Sequence, residues 1–300
     1  MRAPPRPRRS VLYVPASNPR ALEKAAGLDV DALIVDLEDS VAPDAKAEAR
    51  AGAVAALGAS GLFPERMEII VRVNALDGAL GREDLAAVAP FAPAAVLVPK
   101  ILSAASVRAA GEAVASLCGP ATQLWAMMEM PGAVLEALAV ARVAAEGPLS
   151  AFVVGINDLA KEMHATLAPH GEGEGRAVFR PALSAILLAA RAEGLLALDG
   201  VYNFISDGEG FAAECAQGRA FGFDGKTLIH PTQVAPANAA FSPRAEDVAW
   251  ARRVVEAYSG PGKDAVGALK LDGQLVERLH LEGARRLVEL AESLAGRAKA

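Results

Sequence analysis

Cysteine, aromatic side chains, surplus positive charge and long apolar runs are all scarce in this chain, and each scarcity removes a class of function. Two cysteines, Cys118 and Cys215, cannot build a disulfide framework, and their spacing matches no metal site. Neither has a histidine nearby in sequence, so a catalytic thiol is not expected and a reducing, cytoplasmic compartment is. Aromatics are 5% of the residues, too few for base-stacking platforms. With 30 basic and 36 acidic residues the formal charge is −6, a field that favours neither nucleic acid nor an anionic membrane. No apolar run reaches the roughly 18 residues of a membrane span. The run after the arginine-rich start covers only residues 11–15, too short for a secretory segment. Gly-x-Ser-x-Gly is missing, which argues against a serine hydrolase. The four histidines lack zinc spacing: His164 and His170 fall in one long loop, His280 in the tail, and His230 in an Ile-His-Pro turn.

What the chain does have is a repeating pattern. Short apolar runs at 11–15, 32–37, 67–73, 94–99, 124–130, 151–156, 195–201 and 220–223 read as strands. Helical stretches lie between them, among them 19–26, 44–57, 103–117, 133–145, 181–192 and 208–216. Alternation of this kind predicts a parallel sheet with right-handed crossovers, and eight units predict a closed (β/α)8 TIM barrel over residues 1–235. Residues 236–300 break the pattern: a helix at 244–258, a tight turn at Leu271-Asp272-Gly273-Gln274, and an amphipathic helix at 279–294. This C-terminal helical and hairpin extension reads as a lid or an arm exchanged between subunits. The loop Gly171-Glu172-Gly173-Glu174-Gly175 makes a poor phosphate cradle, because its glutamates repel the ligand.

Chemistry in such a barrel belongs at the C-terminal strand ends. There the sequence places Asp36-Leu37-Glu38-Asp39, Arg72 with Asn74, Lys100, Glu129, Asn157-Asp158, Asp199 and Lys226. Buried charges must pair or bind an ion. Glu129 and Asp158 end adjacent strands, so two carboxylates share one place. Two such groups repel unless a cation or a proton sits between them, and all-oxygen ligation would suit Mg2+. Pairing with Arg72 or Lys100 is the alternative.

The segments Arg9-Ser10-Val11-Leu12-Tyr13-Val14-Pro15-Ala16-Ser17-Asn18, Val35-Asp36-Leu37-Glu38-Asp39-Ser40-Val41, Val71-Arg72-Val73-Asn74, Gly155-Ile156-Asn157-Asp158-Leu159 and Gly222-Phe223-Asp224-Gly225-Lys226-Thr227-Leu228-Ile229-His230-Pro231 carry a likeness. Together they resemble the citrate lyase β-subunit-like family of CoA-ester lyases in the HpcH/HpaI aldolase superfamily. The resemblance spans about residues 9 to 296. It implies a Mg2+-dependent carbon–carbon lyase that opens or forms a 3-hydroxyacyl-CoA such as malyl-, methylmalyl- or citramalyl-CoA, with an acyl-CoA and a small 2-oxo acid as the other partners. It also implies a homo-oligomer, a trimer or hexamer. By the same resemblance Glu129 and Asp158 ligate the metal, Glu38 and Asp39 orient its waters, and Arg72 holds the substrate carboxylate. Asn18 and Arg20 at a helix start, with Lys24 one turn later, receive the CoA phosphates. Glu277 stands where the family carries an aspartate as acid/base, one methylene longer. The alternatives are a malyl-CoA thioesterase using the same site, a citrate lyase β subunit acting on a carrier-protein thioester, and a class II aldolase acting on free acids.

Overall fold

The computed structural model describes residues 6–169, 171–172, 175–259 and 267–297. His170, Gly173 and Glu174 lie outside the described residues. Two compact units result, Arg8–Phe241 and a second made of the N-terminal residues with Ser242–Ala300. The break follows Phe241 rather than residue 235, because a helix crosses the expected boundary and packs on the barrel unit.

In the first unit eight parallel strands close a barrel in sequence order. They are β1 (Ser10–Pro15), β2 (Ala32–Asp36), β3 (Glu68–Arg72), β4 (Ala95–Val98), β5 (Gln123–Met128), β6 (Leu149–Val154), β7 (Leu196–Asp199) and β8 (Gly225–Leu228). The helices are α1 (Pro19–Ala26), α2 (Lys46–Gly58), α3 (Ala79–Val88), α4 (Ala104–Cys118), α5 (Pro131–Leu135), α6 (Ala137–Arg142), α7 (Ile156–Glu162), α8 (Arg180–Ala192), α9 (Gly208–Phe221) and α10 (Val234–Phe241). Both faces of each strand are covered, which is why the strands read as nearly continuous apolar runs. One face packs outward against the helices through residues such as Leu33, Val71, Val96 and Phe152. The other fills the barrel interior with Val11, Tyr13, Ile34, Ile70, Leu97, Trp125, Met127 and Leu198.

The eighth strand corrects the sequence reading. Residues 220–223 end α9 and its cap, where Gly222 turns left-handed at φ +104. The strand is Gly225–Leu228, and its buried Lys226 hid it from an apolar pattern. Gly225 is obligatory there, since a Cβ would lie 1.8 Å from the Arg8 carbonyl oxygen. The stretch expected as one helix at 133–145 is interrupted at Glu136, which leaves α5 and α6 as separate short helices. Two arginines that precede β1 are paired: Arg8 with Glu68, and Arg9 with Asp31 at 2.8 Å.

Asp199 and Lys226, read from sequence as strand-end charges, form a separate buried network. The Lys226 ammonium, fully buried, lies 3.1 Å from Asp199 and 2.7 Å from Glu214. Arg176 donates to both oxygens of Asp199 at 2.9 Å. Burial alone raises the Asp199 carboxyl, and the charges of Lys226 and Arg176 outweigh that and hold it below the usual range. Arg176 thus ties the segment before α8 to the end of β7.

The C-terminal unit holds α11 (Ala245–Ala257), the hairpin β9 (Ala268–Leu271) with β10 (Gln274–Glu277), and α12 (Arg278–Arg297). The hairpin turns at Asp272 and Gly273, both left-handed at φ 49 and 83, the geometry an Asp-Gly pair supplies. Ala251, Val254, Tyr258, Val276 and Leu281 make its core, and the Tyr258 hydroxyl donates to the Val276 carbonyl at 2.7 Å. Among the described residues no helix is long and apolar enough to cross a membrane.

Replacing Lys226 with Met leaves Asp199 and Glu214 buried with only Arg176 to balance them. The expected cost is about 3–5 kcal/mol of stability, read from the urea midpoint of the variant against the parent.

Candidate active site

Strand register builds the site. Asp36 on β2 stands opposite Arg72 on β3, and both line a cavity of about 280 Å³ with Tyr13, Met127, Glu129, Asp158 and Asn203. The Arg72 fork grips Asp36, Nε and Nη2 each donating at 2.6 Å. Its Nη1 lies 2.8 Å from Glu38 Oε2 and 3.7 Å from Asp39. The guanidinium carbon stands 4.7 Å from the centroid of the Tyr13 ring. Burial opposes the charge on Arg72, but Asp36 more than restores it, so Arg72 stays protonated.

The acidic turn after β2 is fixed from below. Asp36 also accepts from the Glu38 amide at 3.0 Å and from the Ser40 hydroxyl. Lys46 donates to the carbonyls of Leu37 and Glu38 at 2.9 and 2.8 Å and to Asn74 at 2.9 Å. Asn74, noted in the sequence beside Arg72, therefore clamps this turn. Lys46 was missed, because a lysine in the first turn of a surface helix carries no signal of its own.

Glu129 directly follows β5 and is fully buried. Asp158 does not end a strand, as the sequence suggested; it lies in the first turn of α7, which begins two residues after β6. Gly155, between β6 and α7, makes the approach possible: a Cβ there would sit 2.5 Å from Glu129 Oε2. Lys100 joins the two carboxylates. Its backbone is left-handed at φ 54, and its amide donates to Glu129 Oε1 at 2.6 Å. Its ammonium contacts Asp158 and stands 3.5 Å from Glu129 and 3.7 Å from Glu38. Glu129 and Asp158 thus meet at the Lys100 ammonium, one of the two pairings the sequence left open, while Arg72 pairs instead with Asp36 and Glu38.

These groups titrate abnormally. Burial pushes the Glu129 carboxyl up to about 8, against the pull of Lys100. Burial likewise lifts Glu38 to about 7, against Arg72. Asp158 is held below its usual range: burial works to raise it, and the hydrogen bond and charge of Lys100 prevail. The Tyr13 phenol is driven well above its ordinary value by burial.

Among the described residues no group of three or more His, Cys, Asp or Glu is arranged to hold a metal ion alone. Two carboxylates with the remaining positions left to other oxygens suit a hard divalent cation. The buried Oε2 of Glu129 has no hydrogen-bond partner, an acceptor such a cation would satisfy.

The other sequence candidates fall elsewhere. Asn18 caps α1, its side chain accepting from the Ala21 amide at 3.1 Å, and Arg20 and Lys24 are exposed on that helix. Glu277 ends β10 in the C-terminal unit, exposed, its amide donating to His280 at 2.9 Å. His230 is a cap as well, accepting from the Thr232 amide. Both cysteines are buried, and burial drives the Cys215 thiol up to about 12, which removes it as a nucleophile. Asp36 was read only as part of the acidic turn, and Tyr13 only as a strand residue.

A family model described as HpcH/HpaI aldolase/citrate lyase matches residues 9–231, and one described as a C-C bond lyase of the TIM-barrel fold matches 176–295. The chain is 46% identical over 289 residues to a (3S)-malyl-CoA thioesterase of Cereibacter sphaeroides, covering 96% of each. It is 34% identical to the citrate lyase subunit beta of Escherichia coli, covering 96% of this chain and 94% of that one. The crystal structure of CitE from Mycobacterium tuberculosis in complex with magnesium, acetoacetate and coenzyme A superposes with a TM-score of 0.75 at 34% identity, over 94% of this chain and 97% of that one.

With divalent cations chelated, Glu129 and Glu38 keep protons that the unfolded chain has lost above its ordinary carboxyl value near 4.5. The native state then binds more protons than the unfolded state, so stability falls as the pH rises from about 5 to about 8. Urea unfolding at both ends of that window is expected to show this decline and a shallower one in Glu129→Gln.

Proposed function

The chain belongs to the HpcH/HpaI aldolase/citrate lyase family and is a carbon–carbon lyase, and from that premise we propose that it opens a malyl-CoA-type 3-hydroxyacyl thioester by retro-Claisen cleavage. The observation that carries the reading is the meeting of Glu129, Asp158, Asp39 and Arg72 around one cavity at the strand ends, with Glu38 against Arg72. The magnesium and coenzyme A seen with the Mycobacterium tuberculosis relative support the cofactor and the substrate class.

Glu129 and Asp158 would hold Mg2+, and Glu38 and Asp39 would orient its waters. When bound, the ion supplies positive charge that lowers the pKa of the substrate hydroxyl and favours the departing oxo acid. Arg72, already locked to Asp36, offers its Nη1 edge to the substrate carboxylate. Because its position is set before substrate arrives, little ordering remains to be done on binding. A carboxylate removes the hydroxyl proton, the C2–C3 bond breaks, and a proton returns to the acyl-CoA fragment. That acid/base group is proposed to be Glu277. Asn18 and Arg20 at the start of α1, with Lys24 one turn later, receive the CoA phosphates, and the helix N-terminus adds to their charge. The chain is proposed to act as a homo-oligomer, a trimer or hexamer.

Thioester hydrolysis in the same pocket is the second reading, favoured by the 46% identity to the Cereibacter sphaeroides thioesterase. Here water attacks the thioester carbonyl, giving malate and free CoA. One assay separates the two. With (3S)-malyl-CoA and Mg2+, cleavage yields glyoxylate with acetyl-CoA, and hydrolysis yields free thiol without glyoxylate. The reverse direction, acetyl-CoA or propionyl-CoA with glyoxylate, gives the condensed thioester by mass spectrometry. Glu129→Ala and Asp158→Ala are each expected to lose about a thousandfold or more in turnover. Full activity in excess chelator overturns the metal assignment.

A further inference from the structure

Tyr13 lines the pocket, and the proposed reaction leaves its chemistry unused. It lies on β1 among the interior side chains of the barrel, 9% exposed, and forms part of the cavity floor with Arg72, Met127 and Glu129. Its ring packs under the Arg72 guanidinium. Its hydroxyl is buried and has no hydrogen-bond partner. Buried hydroxyls in folded proteins are nearly always partnered, and leaving one unmade costs about 1–3 kcal/mol. Around it, Arg72 donates to Asp36 and lies against Glu38, Glu129 Oε1 accepts from the Lys100 amide, and the free Glu129 Oε2 is the acceptor assigned to the cation. The missing partner is therefore expected to arrive with a ligand.

We propose that Tyr13 is a specificity-determining residue whose hydroxyl donates a hydrogen bond to a carboxylate oxygen of the 2-oxo acid half of the substrate, beside Arg72. The ring and the hydroxyl then have separate jobs. The ring braces the guanidinium, and the hydroxyl reads the acid. A ligand without that charged oxygen leaves the phenol unpaired and is rejected. The inference rests on the reading of the cavity as the seat of the acid half.

Tyr13→Phe tests it, because phenylalanine keeps the ring against Arg72 and removes only the hydroxyl. Binding of pyruvate and of glyoxylate to the full chain is measured by calorimetry with Mg2+ present, alongside the melting temperature. The expected result is a melting temperature unchanged or raised, with affinity for both oxo acids about ten- to a hundredfold weaker. In turnover the loss falls on KM for the acid, and affinity for CoA alone is unchanged. Equal oxo-acid affinity in parent and variant overturns the inference and leaves the reaction standing, since it means that Tyr13 serves only through its ring. A parent protein that binds no 2-oxo acid overturns the reading of the pocket, and this inference with it.

Discussion

Carboxylates at the mouth of this barrel are out of water before any ligand arrives, and keeping them there dominates the local design. Asp36 and Glu129 are fully buried, and Glu38 nearly so. Each would cost several kcal/mol if left uncompensated. Two cations carry the burden in different ways. Arg72 is spread flat between Asp36 and Glu38 and is itself braced by an aromatic ring, so it is immobile. Lys100 places a point charge among Glu38, Glu129 and Asp158 on a flexible stem, about a third exposed. An immobile guanidinium suits recognition of a fixed anion, whereas an ammonium on a long stem can yield its place to an arriving cation.

The surroundings of this cluster follow from the same demand. A left-handed residue at 100 aims a backbone amide at Glu129, and a glycine at 155 leaves room for the Glu129 carboxyl. Lys46 and Asn74 hold the turn that presents Glu38. Strain and committed hydrogen bonds gather around the carboxylates, while the second buried network, Arg176 with Asp199, Lys226 and Glu214, pairs its charges among themselves. That contrast separates a site from a structural ion cluster. Both are buried and charged, but the first lines a cavity in which the Tyr13 hydroxyl and Glu129 Oε2 lack partners, whereas in the second the carboxylates are paired and Arg176 Nε alone lacks one.

Several features were open to reading in the chain. Seven of the eight strands show as apolar runs because a parallel barrel buries both faces of every strand. The eighth escaped because its pattern is broken by Lys226, whose burial makes sense only beside Asp199 and Glu214. The helix start at Pro19 is local chemistry, an Asn cap followed by a proline. The Asp-Gly turn in the tail is local as well. Asp158 was placed at a strand end because its segment looks apolar up to residue 156, and nothing nearby signals that a helix begins there.

The sequence by itself determined the alternation of strands and helices, the closed count, and the roster of charged residues at the strand ends, since these depend on periodicity and on the rule that chemistry sits at one end of a barrel. Only the tertiary structure decided who pairs with whom. Residues 36 and 72, 100 and 158, or 13 and 72 are far apart along the chain. Their partnership is fixed by strand register and by the room one glycine leaves, and neither quantity is written in the local composition of either partner.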